Sequence, residues 1–179
     1  VAQSKAQLRS DIRDDRQFKD RQDSWRHIIN SAEITGAKSI ATYLSYGSEP
    51  NTKDLNQQLI KAGKKLFLPR LLPDKDLEWV IWDGREESLA RNGKIFEPKG
   101  TAANSSEIEV VIVPTLCADR SGNRLGQGGG SYDRALPKLS AWRIGLIYAG
   151  ELSNVEIPYE THDAKLSAIA TPDLIIRFQ

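Results

Sequence analysis

Ile108-Glu-Val-Val-Ile-Val-Pro114 is almost wholly apolar and β-branched, and it ends at a proline. A run this short, without the alternation of a half-exposed strand, reads as a central strand covered by helices on both faces, the setting of a buried parallel sheet. On its C-terminal side follow a polar, glycine-rich loop (Cys117–Gly130), a helix over about Ser131–Leu139 and a second apolar strand, Trp142–Tyr148. On its N-terminal side, Ser39–Ser45 has the β-branched and aromatic content of a strand. Thr52 can cap a helix through Ala62, and Gly63 ends it before the short strand Lys65–Leu68, which makes a strand-helix-strand unit.

The flanks are less regular. Spaced apolar residues between Ser4 and Ala32, from Leu8 to Ile29, suit one or two amphipathic helices, with a stop at Gly36. Pro69, Pro73 and Asp74 mark a turn before Leu77–Trp82, and Asp83–Gly100 reads as a short helix flanked by irregular chain. Ala168–Phe178 supplies one or two more strands, and no internal repeat is present. The expected architecture is a single three-layer α/β domain over residues 1–179, with a mostly parallel or mixed sheet between helical layers.

Composition narrows the function. The formal net charge is +1, so no global field draws in nucleic acid or an anionic membrane, and an anion must be held by local geometry. One cysteine, Cys117, cannot form an internal disulfide, and two histidines, His27 and His162, give no set at zinc-ligand spacing. The expectation is a cytoplasmic protein, a monomer or weak homodimer, with no membrane span. The charged start after Val1-Ala2 lacks a signal-peptide core, and the absence of methionine leads to the expectation that an initiator was removed.

The most informative chemistry lies in Asp119–Arg134, which packs five glycines between a buried strand and a helix start. Gly126, Gly128, Gly129 and Gly130 have no Cβ, so neighbouring N–H groups can approach an anion, and the following helix adds its positive end. Arg120, Arg124 and Arg134 add guanidinium forks that suit phosphoryl oxygens. The Walker pattern fails because Gln127 follows Gly126, and the dinucleotide fingerprint fails at Ser131. The same composition also suits a flexible surface loop closed by Ser131 as N-cap. Cys117 with His162 as base is conceivable, although a free cysteine is commonly a buried hydrophobe.

Several segments in order resemble the 5-formyltetrahydrofolate cyclo-ligase family: Lys5-Ala-Gln-Leu-Arg9, Tyr43-Leu-Ser-Tyr-Gly-Ser-Glu49-Pro-Asn-Thr52, Leu68-Pro69-Arg70, Val113-Pro114, Arg124-Leu-Gly-Gln-Gly-Gly-Gly-Ser-Tyr-Asp133 and His162-Asp163. The resemblance implies a fold like that of the sugar-phosphate isomerase and CoA-transferase group. It also implies an enzyme that uses ATP and Mg²⁺ to cyclise 5-formyltetrahydrofolate to 5,10-methenyltetrahydrofolate through phosphorylation of the formyl oxygen. Carried over by position, it puts Lys5, Arg9 and the segment Arg124, Leu125, Gly126, Gln127, Gly128, Gly129, Gly130, Ser131 and Tyr132 on the ATP phosphates. Asp133 and Asp163 would hold Mg²⁺, Glu49 and Leu44 would meet the pterin, and Gln127–Ser131 would also touch the folate. Arg124 and Tyr132 are the candidate catalytic residues. Ser131 stands where many members have the first of two aromatics, which puts folate contact there in question. A sugar-phosphate or acyl-CoA enzyme on the same fold, working without ATP, and a non-catalytic nucleotide- or folate-binding module remain the alternatives.

Overall fold

A computed structural model describes residues 3–179; Val1 and Ala2, where the reading of a leaderless N-terminus begins, lie outside them. In chain order the elements are α1 (Lys5–Arg16), α2 (Ala32–Gly36), β1 (Ser39–Ala41), α3 (Lys53–Lys61), β2 (Lys65–Leu71), β3 (Leu77–Trp82), β4 (Leu89–Asn92) and β5 (Ile95–Pro98). They continue as β6 (Val110–Pro114), β7 (Cys117–Asp119), β8 (Arg124–Leu125), α4 (Ser131–Ala135), β9 (Trp142–Leu146), β10 (Leu152–Ser153), β11 (Ala168–Ala170) and β12 (Ile175–Arg177).

The apolar run forms β6 at the middle of a seven-stranded sheet of order β12-β11-β9-β6-β1-β2-β3. The five strands β11, β9, β6, β1 and β2 are parallel, and β12 and β3 close the two edges antiparallel. One face packs against Trp25, Ile28, Ile34 and the α3 residues Leu55 and Leu59; the other packs against Ala135, Leu136 and Leu139. Each such side chain withdrawn from water contributes about 1.5–3 kcal/mol, which is why the β-branched strands need helical cover on both faces. The expected three layers are therefore present.

Several local expectations change. The Ser4–Ala32 stretch is helical only as α1, followed by irregular chain in which Phe18 is 87 % exposed, a 3₁₀ turn (Arg26–Asn30) and the start of α2. Asp83–Gly100 holds only a 3₁₀ turn (Glu86–Ser88) where a short helix is expected and is mainly the antiparallel hairpin β4–β5, turning at Gly93-Lys94 with Gly93 at φ +63°. The Cys117–Gly130 loop contains β7 and β8, which join β10 in a small sheet. Asp119 organises it from a buried position, accepting from the N–H groups of Ser121, Asn123 and Ile157 and from Asn123 Nδ2. The helix expected over Ser131–Leu139 is α4 with a 3₁₀ turn through Pro137, and its N-cap is Gly130 at φ +75° rather than Ser131.

Sheet topology places the functional region. From β1 the chain crosses to β2 on one side, while β6 lies on the other, so connections diverge at the β1–β6 boundary. In open α/β sheets the crevice beyond the carboxyl ends of strands at such a switch point is where ligands bind. The segments leaving those ends here are Thr42–Asn51 and Thr115–Gly130.

Candidate active site

A cleft of about 610 Å³ opens at that switch point. The residues that the family resemblance marks all line it: Lys5, Arg9, Leu44, Glu49, the whole stretch Arg124–Asp133, and Asp163; Arg120, Arg134 and Cys117 do not. Lys5 and Arg9 share one face of α1, as their spacing predicts, and Arg13 continues the row to the rim of the glycine loop.

Main-chain donors dominate one wall. Among the described residues none accepts a hydrogen bond from the N–H of Gln127, Gly128, Gly129 or Gly130. Gly128 has φ +114°, and a Cβ at Gly126 would stand 2.8 Å from Arg124 Nη1, so this wall closes up only with bare backbone. The five-residue α4 is too short to add the dipole expected of a longer helix, which leaves the loop amides as the main-chain donors of this wall.

Beneath the loop lies the Arg124 guanidinium, its side chain 4 % exposed. Nη1 donates to Pro114 O at 2.7 Å, Nη2 stands 3.8 Å from Asp133 Oδ1, and Cζ sits 5.6 Å from the Tyr132 ring centroid. Nε is buried with no partner among the described residues. Burial pulls the Arg124 pKa below its ordinary value, opposed by the charges of Asp133, Tyr132 and Asp163. A buried cation this poorly neutralised favours an incoming anion. Tyr132 both packs and lines the cleft: it meets Trp79 edge-on at 6.3 Å, and burial raises its phenol pKa. Of the other two arginines expected around the loop, Arg120 turns away to Asn154 Oδ1, and Arg134 binds the outer side of the loop at Gly129 O.

Glu49 lines the same cleft from the loop after β1, close enough for its charge to act on Tyr132. Burial pushes its carboxyl up to about 7, against the N–H of Tyr46 and the charge of Arg16. Its loop is braced rather than loose: Thr52 Oγ1 and Asn56 Nδ2 donate to Tyr43 O, and Tyr148 Oη reaches Ser48 O at 3.1 Å. Thr52 thus spends its hydroxyl on this loop and makes no side-chain cap to α3.

The carboxylate pair completes the floor. Ala164 N donates to Asp133 Oδ1 at 3.1 Å, drawing the Asp163 segment against Asp133. Asp163 Oδ2 accepts from Lys5 Nζ at 2.7 Å and Glu160 N at 2.9 Å; burial pushes the Asp163 carboxyl up, but these contacts and the nearby charges hold it below its ordinary value. Among the described residues no three His, Cys, Asp or Glu side chains converge as a metal cage. Two carboxylates beside a phosphate-sized cradle instead fit Mg²⁺, which usually takes one or two carboxylates and completes its shell with phosphate oxygens and water.

The remaining wall is apolar. Leu71, Leu77, Ile95 and Phe96 line the cleft opposite the loop, with Tyr43 deeper in. None is marked by sequence reasoning as a site residue; the one local signal is Gly93, at the turn of the hairpin carrying Ile95 and Phe96. Cys117 lies apart, buried with Ile12 and Leu116, and burial pushes its thiol up to about 11. His162 is on the rim, exposed, 3.6 Å from Asp163 Oδ1.

A family model described as the 5-formyltetrahydrofolate cyclo-ligase family matches residues 3–172. The chain belongs to that family. The cyclo-ligase of Escherichia coli is 34 % identical over 149 residues, covering 79 % of this chain and 82 % of its own. That of Haemophilus influenzae is 32 % identical over 180 residues, covering 92 % and 95 %. The solved 5,10-methenyltetrahydrofolate synthetase of Aquifex aeolicus superposes with a TM-score of 0.83 over 98 % of this chain and 93 % of its own, at 22 % identity, and so shares the cyclo-ligase fold.

Proposed function

We propose that the protein is a 5-formyltetrahydrofolate cyclo-ligase that uses MgATP to form 5,10-methenyltetrahydrofolate, ADP and phosphate. The observation that carries this reading is the row of loop amides without partners among the described residues, above a buried arginine, in a cleft that the Glu49 carboxylate also lines.

In this reading the amides of residues 126–130, with Lys5 and Arg9, hold the ATP phosphates, and Glu49 accepts hydrogen bonds from the amino and N–H groups of the pterin. Leu44 packs on the ring, and the stretch Gln127–Ser131 lies between the two substrates. The formyl oxygen attacks the γ-phosphorus and ADP departs. N10 then bonds to the activated carbon and loses its proton, and phosphate leaves with the former formyl oxygen. Arg124 stabilises charge on the transferred group, with Tyr132 fixing the guanidinium plane; no enzyme nucleophile is needed. Asp133 and Asp163 would hold Mg²⁺, which would supply neutralisation of phosphate charge, and Lys5, hydrogen-bonded to Asp163, would stand beside it as a cation for the phosphates. With Cys117 unpaired and no helix among the described residues long and apolar enough to cross a membrane, a reducing cytoplasmic setting suits the protein.

The deciding test mixes protein, MgATP and 5-formyltetrahydrofolate and follows the near-ultraviolet absorbance of the methenyl product. ATP-dependent product is expected; its absence rejects the proposal.

Two variants probe the loop and the carboxylate of the cleft. A Cβ at Gly129 meets only Ser131 Oγ, at 3.9 Å, so Gly129→Val is expected to fold normally while crowding the phosphates. ATP affinity should fall about tenfold or more by calorimetry, and unchanged affinity takes the loop out of the site. For Glu49, the ionised form suits the pterin donors, so the folate KM should drop as pH rises through about 7 and then level off. Glu49→Gln should raise that KM about 10- to 100-fold and flatten the profile, the range expected for a lost charge-assisted bond. The same substitution should stabilise the free protein. A carboxyl whose folded pKa exceeds its unfolded one contributes stability at low pH that is lost as pH rises through about 7. At pH 8 the gain is about 1–2 kcal/mol, partial exposure discounting the full linkage value. A pH-independent KM in the native enzyme counts against the carboxylate role.

A further inference from the structure

Three guanidinium groups take three of the four carbonyls between Gly126 and Gly129. Arg9 Nε donates to Gly126 O at 2.8 Å, Arg13 Nη2 to Gln127 O at 2.9 Å, and Arg134 Nη1 to Gly129 O at 2.9 Å. Arg13 Nη2 also holds Gln127 Oε1 at 2.9 Å. In a trans peptide unit the C=O and the following N–H point in opposite directions. A guanidinium that fixes a carbonyl on one side therefore fixes the next N–H on the other. The N–H groups following these carbonyls belong to Gln127, Gly128 and Gly130, the unpartnered donors of the cleft wall. Left alone, so glycine-rich a stretch rotates its peptide planes freely and loses much conformational entropy on ordering.

We infer that Arg13 and Arg134 are positioning residues for the nucleotide: by holding the Gln127 and Gly129 carbonyls outward, they set the Gly128 and Gly130 amides to receive phosphate oxygens before the phosphate arrives. Arg9 does the same at Gly126 with Nε, and its Nη groups, without partners among the described residues, remain for the phosphates. Arg13 and Arg134 reach the loop from opposite elements, α1 and α4, and neither lines the cleft, so they act through the loop and not on the substrate. This rests on the proposed use of ATP and adds how its site is preformed.

Arg13→Ala and Arg134→Ala are each expected to raise the ATP Kd and KM about 3- to 10-fold, more than the folate KM, with the melting temperature close to that of the native protein. Because the two hold different peptide units, the double variant should show roughly the product of the single effects. The readout independent of activity is the ¹⁵N-resolved amide signal of Gly128 and Gly130 in the free protein. Arg13→Ala should shift or broaden Gly128, and Arg134→Ala should do so to Gly130, each leaving the other largely in place. Calorimetry with MgATP on the native protein separates the two layers of the argument. Absence of any nucleotide binding there overturns both the ATP reading and the clamp, whereas native binding with equal binding and unmoved glycine signals in the variants overturns the clamp alone.

Discussion

Arg124→Lys is expected to fold and to lose at least about 100-fold in kcat, with a much smaller change in either KM, since a preorganised donor acting on developing charge contributes about 2.7–4 kcal/mol. The guanidinium is held by two unlike restraints, the Pro114 carbonyl on Nη1 and the Tyr132 ring beside Cζ, which together fix its plane. That leaves Nε, buried and without a partner among the described residues, as a donor whose direction is set before any ligand enters. A lysine ammonium is a point donor on a flexible stem; if it keeps the Pro114 contact, it has no rigid second edge for the transferring group. The buried cation is retained, so Asp133 is not stranded, and thermal unfolding should stay within a few degrees of the native value. Steady-state kinetics with ATP and folate varied separately decides the point. A lysine enzyme within fivefold of native kcat shows that Arg124 is only a strut between Pro114 and Asp133.

Much of the fold could be read from residue pattern because its central strands are buried on both faces, and burial of that kind leaves an unbroken apolar run such as Val110–Val113. The parts that escaped reading lack such a signature. Leu89–Pro98 forms a hairpin that exposes charged Arg91 and turns half-buried Glu97 to the cleft, and its short strands carry little β-branched content, so only the glycine of its Gly93-Lys94 turn marks it. Ser131 looks like an N-cap by residue type, but the left-handed backbone at Gly130 starts α4 one residue earlier. The polar side of the cleft was legible because glycines, arginines and carboxylates cluster along the chain. Its apolar side was not, because Leu71, Leu77 and Phe96 look like ordinary strand residues until the topology brings them opposite the loop. Arg13 lies between these cases: its spacing from Arg9 places it on the same helix face, yet a solvated basic edge has the same spacing.

Arg16→Ala is expected to destabilise the protein by about 3–5 kcal/mol, lowering the melting temperature by about 10 °C, because it leaves a buried carboxylate without its cation. Arg16 is 1 % exposed and grips Glu151 through two bonds of 2.9 Å, Nε to Oε1 and Nη2 to Oε2, while Nη2 also reaches Thr115 O at 2.7 Å. Burial works against the charge, yet the bond and charge of Glu151 outweigh it and hold the Arg16 pKa above its ordinary value. The consequence extends beyond stability. Lys5, Arg9, Arg13 and Arg16 recur at intervals of four, four and three residues, one stripe of α1, so the buried end fixes the rotation that aims the other three at Asp163 and the glycine loop. A variant carrying Arg16→Met with Glu151→Leu should recover a large part of the lost stability, since an apolar pair of similar volume escapes the desolvation cost. Its ATP affinity, measured well below its melting temperature, separates the two roles. Recovered stability with native affinity means that packing alone sets the rotation of α1, whereas recovered stability with affinity weakened several-fold means that the buried ion pair aims the helix.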